Sequence, residues 1–233
     1  GLKNNDIFFS ERNDKGAWSK PEPVEGELNT ENDEGIISFS DDGQIMYYSL
    51  AESTNANTDT YVSIYKSVRS DASWKKGERL NITIDSTIIC AHPAVMPEAG
   101  WLYFTSDMPG GYGGKDIWRV SVKDMTEIEN LGPDVNTPYD EVFPYVRKNG
   151  DIYFSSNGHP GLGGLDIFLA YQDEMGNWHR RNMGAPINSA ADDFGIMFMA
   201  NDRGYLSSNR NDARGYDHIY TFELPLIEVW IEG

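Results

Sequence analysis

Short runs of alternating apolar and polar residues, separated by glycine-marked turns, fill the chain and predict β-strands. One series runs from Tyr103–Ser106 through a glycine-rich turn to Asp116–Val120. The series returns at 153–169 and, less well preserved, at 205–220. No segment of useful length shows the 3.6-residue period of an amphipathic helix. The pattern therefore predicts an all-β protein built from an internal repeat.

The spacing of the turns supports the repeat. Asp116, Asp166 and Asp217 are 50 and 51 residues apart. The glycines expected in the hairpin turns follow a similar period of 57, 50 and 54 residues, at Gly43, Gly100, Gly150 and Gly204. Four strands in about 50 residues are typical of one blade of a β-propeller. In the Tyr-Phe-Ser-Ser runs, alternation points one aromatic ring toward each neighbouring blade.

The repeat predicts a β-propeller of four-stranded antiparallel blades over residues 1–225, with five blades. The first blade is expected to be incomplete at its N-terminal end. The predicted units are 1–31 (partial), 32–86, 87–138, 139–190 and 191–225. Residues 226–233 are apolar and β-branched, and they are expected either to close the last unit or to begin a following β-sandwich domain.

The charge balance limits the classes of partner. The chain has 19 Lys and Arg against 37 Asp and Glu, a formal net charge of −18. This balance disfavours nucleic acid and anionic membrane surfaces, and it suits basic partners, cation binding or solubility alone. The single cysteine, Cys90, cannot form an intrachain disulfide, and no apolar run is long enough for a membrane span in this chain. The chain opens at Gly1 in mid-pattern, so we expect it to be part of a longer protein.

Four aspartates recur once per unit and are the first candidate site residues. A catalytic centre needs one asymmetric arrangement, so a group repeated in every unit is expected to be structural. We expect each carboxylate to accept backbone N–H bonds from its glycine-rich turn. A Ca²⁺ site built from these carboxylates and turn carbonyls is the alternative. The repeat aspartates are Asp6, Asp116, Asp166 and Asp217, and the turn glycines are Gly113, Gly114, Gly163 and Gly164.

Catalytic and cofactor motifs are weak. The glycine-rich turns lead into strands, so no helix N-terminus follows them to bind a phosphate. The four histidines show no metal-ligand spacing, and no nucleophile elbow is present. We therefore expect no catalytic residue, no cofactor and no bound metal other than the Ca²⁺ alternative. A carbohydrate-binding or glycan-cleaving propeller stays open, because 37 acidic residues could contain the required pair.

Three residues expected at the surface are candidate contacts for a partner protein: Tyr112, Glu52 and Asp59. Tyr112 stands in the middle of a glycine-rich turn, where an aromatic side chain is expected to reach solvent. The polar stretch from Glu52 to Asp59 lacks turn glycines and is predicted to be a mobile loop.

A family resemblance rests on the motif Phe-Ser/Thr-Ser-Asp/Asn…Gly-Gly-x-Asp-Ile-Trp/Phe, at 104–118 and 154–168. Trp178 and the linker Pro186–Ser189 follow it, with Asp192-Asp193 behind. This series resembles the WD-like repeat of TolB-type propellers. It is most similar to the version in OmpA-family envelope lipoproteins of the Bacteroidota, including PorE-type components of the type IX secretion system. The chain departs from the family repeat at two places: Ser63 stands where the repeat has Asp, and Asp217-His218-Ile219 stands in place of Asp-Ile.

The resemblance implies a non-catalytic scaffold domain in the periplasm, associated with the outer membrane. Its partners would be envelope or secretion-system proteins. Contact with peptidoglycan would be made only through another domain of the same protein.

Overall fold

A computed structural model describes residues 4–53, 60–199 and 202–224. Within these ranges the chain forms antiparallel strands and the short 3₁₀ helix Pro97–Ala99. None of the described residues belongs to a helix long and apolar enough to cross a membrane. The all-β prediction is confirmed.

Four sheets, here called blades I to IV, follow one another along the chain, and their strands pair in sequence order. Blade I contains β3 (Asp33–Phe39), β4 (Ile45–Ser53), β5 (Thr60–Ser70), β6 (Ser73–Trp74) and β7 (Glu78–Arg79), with β6 and β7 both on β5. Blade II contains β8 (Cys90–Met96), β9 (Trp101–Ser106), β10 (Asp116–Ser121) and β11 (Ile128–Asn130). Blade III contains β12 (Glu141–Val146), β13 (Ile152–Ser156), β14 (Asp166–Gln172) and β15 (Trp178–Asn182). Blade IV contains β16 (Asp193–Phe198), β17 (Arg203–Ser208) and β18 (His218–Glu223).

A fifth, two-stranded sheet precedes blade I and consists of β1 (Phe8–Phe9) and β2 (Glu22–Pro23). Pro23 lies opposite Phe8, at a position where its missing N–H costs no ladder hydrogen bond. The described residues therefore form four blades and this two-stranded sheet.

The hydrophobic core lies between the blades rather than inside one of them. Phe104 packs with Tyr47 and Ile64 of blade I, whereas its neighbour Tyr103 packs with Phe154 of blade III. Adjacent residues of a strand face opposite sides of the sheet, so one Tyr-Phe pair joins two interfaces. The predicted orientation of the paired aromatics is confirmed. Each sheet buries both faces only when a neighbour lies on each side.

The first strands of the blades, β3, β8, β12 and β16, surround a common cavity of about 1040 Å³ on the axis. Each of these strands carries a β-bulge at the same level. The bulged residues have positive φ: Ile36, His92, Phe143 and Gly195. A bulge bends its strand and increases the local twist, which shapes the wall of the cavity.

In three of the linkers an asparagine joins the linker to a strand of the preceding sheet, and two of these side chains, Asn136 and Asn188, are buried. The Ile117 N–H donates to Asn136 Oδ1 at 2.8 Å, and Asn136 Nδ2 donates to the Ile117 carbonyl at 3.0 Å. Asn188 makes the same pair of bonds with Ile167, and Asn29 makes them with Ile7. The asparagine oxygen satisfies a backbone N–H that the short fourth strand does not reach. The carbonyl of the same residue also accepts a backbone N–H from the residue after that strand, as the Ile117 carbonyl does from Leu131 at 3.2 Å.

We predict that Asn136→Ala lowers the free energy of unfolding by about 2 kcal/mol, because the buried Ile117 N–H loses its partner. Urea denaturation followed by tryptophan fluorescence measures the change. Asn149→Ala is the matched control, because Asn149 lies in an exposed turn and bonds only to Asp151; it should change stability by less than about 0.5 kcal/mol. Equal losses in both variants would contradict the role given to Asn136.

Candidate partner-binding face

The glycine-rich loops and the linkers between blades lie at the same end of the sheets, because strand direction alternates along each blade. This end is here called the loop face, and it consists of loops 107–115, 157–165 and 209–217 with linkers 131–140 and 183–192. Backbone bonds join loop to linker: the Gly114 N–H donates to the Tyr139 carbonyl at 2.9 Å, and the Gly164 N–H donates to the Ala191 carbonyl at 3.3 Å.

Asp116 and Asp166 hold the loops that precede them. Asp116 Oδ2 accepts the Tyr112 N–H at 2.6 Å and a bond from Asn130 Nδ2 at 2.8 Å. Asp166 Oδ2 accepts the N–H groups of Leu162 at 2.8 Å and Gly163 at 3.1 Å. Both side chains are buried. Carboxylates that accept backbone N–H bonds in this way stiffen a turn.

The second oxygen of each aspartate has no hydrogen-bond partner among the described residues. The same part of the chain contains no group of three His, Cys, Asp or Glu side chains that could hold a metal ion. The bonds that the structure shows to Asp116 and Asp166 come from turn N–H groups and from the Asn130 side chain.

Asp6 and Asp217 occupy different surroundings, and both are exposed. Asp6 precedes Ile7, the residue that bonds to Asn29. In blade II the repeat aspartate Asp116 lies opposite Ser106 on the neighbouring strand. In blade IV the equivalent position, opposite Ser208, is held by His218 and not by Asp217. His218 Nε2 lies 2.8 Å from Asp212 Oδ2.

Asp212 holds the loop of blade IV from within the loop. Its Oδ1 accepts the Arg214 N–H at 2.8 Å. The Arg214 guanidinium, followed by His218, holds the pKa of the Asp212 carboxyl well below its usual range. The loop of the third copy is thus held by a different aspartate, one that the repeat alignment does not indicate.

The turn glycines allow loop and linker to pack in contact. A Cβ on Gly113 would overlap the backbone of Pro138, and a Cβ on Gly163 would overlap the backbone of Ala191. Cβ atoms on Gly114 and Gly164 would meet the carboxylates of the linker, at Asp140 and Asp192. These four glycines are required by close approach rather than by positive φ.

We predict that Gly113→Ala and Gly163→Ala each lower the free energy of unfolding by about 2 kcal/mol, because a backbone segment has to move to admit the methyl group. Chemical denaturation measures the loss. Gly35→Ala is the matched control: Gly35 has no atom within 4 Å of its Cβ position and no positive φ. The explanation fails if the Gly35 variant is destabilised as much as the other two.

Exposed apolar side chains stand on these stiffened loops. Tyr112 is 48% exposed and Leu162 is 54% exposed. They occupy equivalent positions in the loops of blades II and III, here called loops II and III, with loop IV being that of blade IV. Each has its own N–H bonded to the repeat aspartate of its blade. Tyr139 in the linker between them is 61% exposed. In loop IV, Tyr216 is also exposed and lies under the Arg214 guanidinium, 4.7 Å from its ring centroid.

Of the other two expected contact residues, the structure describes Glu52. Glu52 lies in strand β4, opposite Tyr61, and not in a loop as predicted. It is half-buried beside Tyr65, whose pKa is raised to about 12 by burial and then by the Glu52 charge. Asp59 lies outside the described residues.

A buried carboxylate at the start of a first strand was not assigned a role from the sequence. Glu141 Oε2 accepts the Thr137 N–H at 2.7 Å, while Oε1 accepts the Thr137 and Ser156 hydroxyls at 2.7 and 2.6 Å. Burial raises the pKa of Glu141 even though these hydrogen bonds oppose the rise. Glu34 with Thr30 and Asp193 with Ser189 repeat the arrangement. The linkers that repeat the pattern Asn-Thr/Ser…Asp-Glu/Asp were the sequence signal that could have indicated these carboxylates.

An aromatic stack follows the bulges around the axial cavity. The rings of His92 and Phe143 are parallel with centroids 4.0 Å apart, and Phe143 lies 4.9 Å from Phe194. The Phe143 N–H donates to His92 Nδ1 at 3.2 Å, which requires an unprotonated nitrogen. Burial, followed by the Lys115 charge, lowers the pKa of His92 to about 4.

We predict that His92 makes stability depend on pH between 7 and 5. The unfolded chain takes up a proton near pH 6.5, whereas the folded chain does so only near pH 4, so stability is full above 6.5 and falls with pH. The expected loss from pH 7 to 5 is about 2 kcal/mol. His92→Phe should reduce this slope, because Phe143 shows that phenylalanine fits a bulge of the same geometry. Urea denaturation at both pH values tests this, and an unchanged slope in the variant would refute it.

Comparison with solved structures agrees with the fold. A gluconolactonase from Xanthomonas campestris matches with a TM-score of 0.51 and 15% identity, over 85% of this chain and 61% of that one. The β-propeller domain of the Trilobed protease from Pyrococcus furiosus matches with a TM-score of 0.45 and 8% identity, over 86% and 57%. The four blades packed on one another around a common cavity confirm the prediction of a β-propeller. The chain spans about three fifths of these structures, and the likeness concerns the fold alone. No protein-family model and no curated protein matches the chain.

Proposed function

We propose that this chain is a non-catalytic protein-interaction module and that the loop face is its partner-binding surface. The observation that carries the proposal is the position of Tyr112 and Leu162: both are exposed, and both stand on a backbone held by a buried aspartate. Aromatic and large apolar side chains are favoured contacts in protein interfaces. A loop already ordered before binding loses little conformational entropy when a partner docks.

The proposed setting is the bacterial periplasm, at the outer membrane. Support comes from the resemblance of the repeats to TolB-type propellers of OmpA-family envelope lipoproteins. The partner would be an envelope or secretion-system protein, as in type IX secretion, and peptidoglycan would be reached only through another domain. The net charge of −18 favours a partner with a basic contact surface. No cofactor takes part in this function.

We also propose five blade positions around the axis. The β1–β2 sheet supports a fifth position, because Asn29 bonds to Ile7 as Asn136 bonds to Ile117 in blade II. β1 therefore corresponds to a third strand and β2 to a fourth strand. Ile7 also packs with Met46 and Leu50 of blade I, as one blade packs on the next.

Carbohydrate binding or cleavage is the second candidate, because acidic and aromatic side chains line the axial cavity together. Two of the acidic residues of the cavity, Asp41 and Asp202, are held in ion pairs and are less suited to acid catalysis. Asp41 is paired with Lys148 at 3.5 Å and Asp202 with Arg147 at 2.8 Å, and a general acid in a glycosidase has to hold a proton.

Capture from an envelope extract tests the proposed surface. We predict that the immobilised chain retains a partner, and that Tyr112→Glu with Leu162→Glu reduces this retention at least tenfold, because charges replace the apolar contacts. Met175→Glu is the matched control, because Met175 is also exposed but lies in the β14–β15 turn at the opposite end. Equal capture by all three proteins would contradict the surface. Turnover in a glycan hydrolysis screen would favour the second candidate.

A further inference from the structure

One edge of strand β1 has no neighbouring strand among the described residues. β1 pairs only with β2, which lies on its outer edge. The equivalent strands of blades II, III and IV pair on their inner edge with the preceding strand: β10 with β9, β14 with β13 and β18 with β17. Ile7 turns its N–H and carbonyl toward Asn29, on the outer side. Because strand hydrogen bonds alternate between the two edges, Phe8 turns its backbone groups toward the open edge.

The side chains of β1 show the same incompleteness. By the asparagine register, Phe8 corresponds to Trp118 of blade II and Phe168 of blade III. Those two rings are 8% and 3% exposed, but Phe8 is 52% exposed, and Phe9 beside it is also exposed. An exposed strand edge that carries two aromatic rings is a template for pairing with a further strand.

The open edge borders the axial cavity. The axial cavity is lined by Phe8 on one side and by Met197 and Met199 of blade IV on another. These methionines are exposed, as is Ile219 in β18. Trp18, which follows β1, has its ring centroid 6.3 Å from that of Tyr205 in blade IV. The segment that connects β1 to β2 thus contacts blade IV, whereas Ile7, next to β1, packs on blade I.

We infer that this edge and cavity receive two antiparallel strands of the repeat's own type, supplied by the segment of the same polypeptide that precedes β1. The inference rests on the proposal of a fifth blade position and is independent of the partner-binding role. The same polypeptide is the source because every described blade is built from consecutive strands of one chain. Strand addition gives main-chain hydrogen bonds to Phe8 and buries its ring.

The complete blades specify the chemistry of the added strand. Opposite Phe168 stands Phe154, and opposite Asp166 stands Ser156. The strand that joins β1 therefore places an aromatic residue opposite Phe8 and a serine or threonine opposite Asp6. In blades III and IV the innermost strand places an acidic residue opposite that hydroxyl, Glu141 opposite Ser156 and Asp193 opposite Ser208, whereas blade II has Cys90 opposite Ser106.

A chimeric chain tests this inference. Residues 139–165, which contain the β12–β13 hairpin and its loop, are placed directly before residues 6–233, so the appended copy meets β1 as it meets β14 in blade III. We expect amide exchange at Phe8 to slow at least tenfold and the melting temperature to rise. The control extension carries Phe154→Asp and Ser156→Lys in the appended copy only, and it should leave both quantities unchanged.

Three results would overturn the inference. One is unchanged exchange at Phe8 in a chimera whose circular dichroism shows a folded β-protein. A second is equal protection by the control extension. The third is a dimer of residues 1–233 in sedimentation that Phe8→Asp abolishes, since the edge would then bind a second copy. The variant Asn29→Ala tests the proposed fifth blade position separately from the added strands. A loss of stability like that of Asn136→Ala supports the fifth blade position even when the chimera fails.

Discussion

The burial of both faces of every sheet is the constraint on which this structure depends. A single blade has aromatic residues on two sides, as Tyr103 and Phe104 show, and no third layer covers them. Only a neighbouring blade on each side removes that surface from water. The arrangement around an axis, the common cavity and the open side at β1 all follow from this requirement.

Polar residues at the strand ends complete the contact between blades. Asn136 satisfies the backbone of the blade before it, and Glu141, five residues later, collects hydroxyl and N–H donors at the start of the next. Buried amide and carboxylate groups are tolerated because each has several hydrogen-bond partners. These bonds fix the position of each linker, and the linkers in turn support the glycine-rich loops.

The loop face inherits its order from this network. Tyr112 and Leu162 are placed by Asp116 and Asp166, and the glycines beside them let the loops rest on the linkers. Exposed apolar groups on ordered backbone are costly in a monomer and favourable in an interface. The wall of the axial cavity, by contrast, carries Phe143, whose ring is stacked on that of His92, and ion pairs such as Arg147 with Asp202.

Strand alternation and the period of about 50 residues were sufficient to predict an all-β propeller, because each depends on local geometry that the chain carries in every copy. The bonding of Asp116 and Asp166 to their loops could be anticipated for the same reason. The sequence could not show that His218 holds the register position in blade IV, that Glu52 lies within β4, or that Glu141 is buried. Those facts depend on pairing register and on contacts between blades, and such contacts exist only once distant segments have packed together.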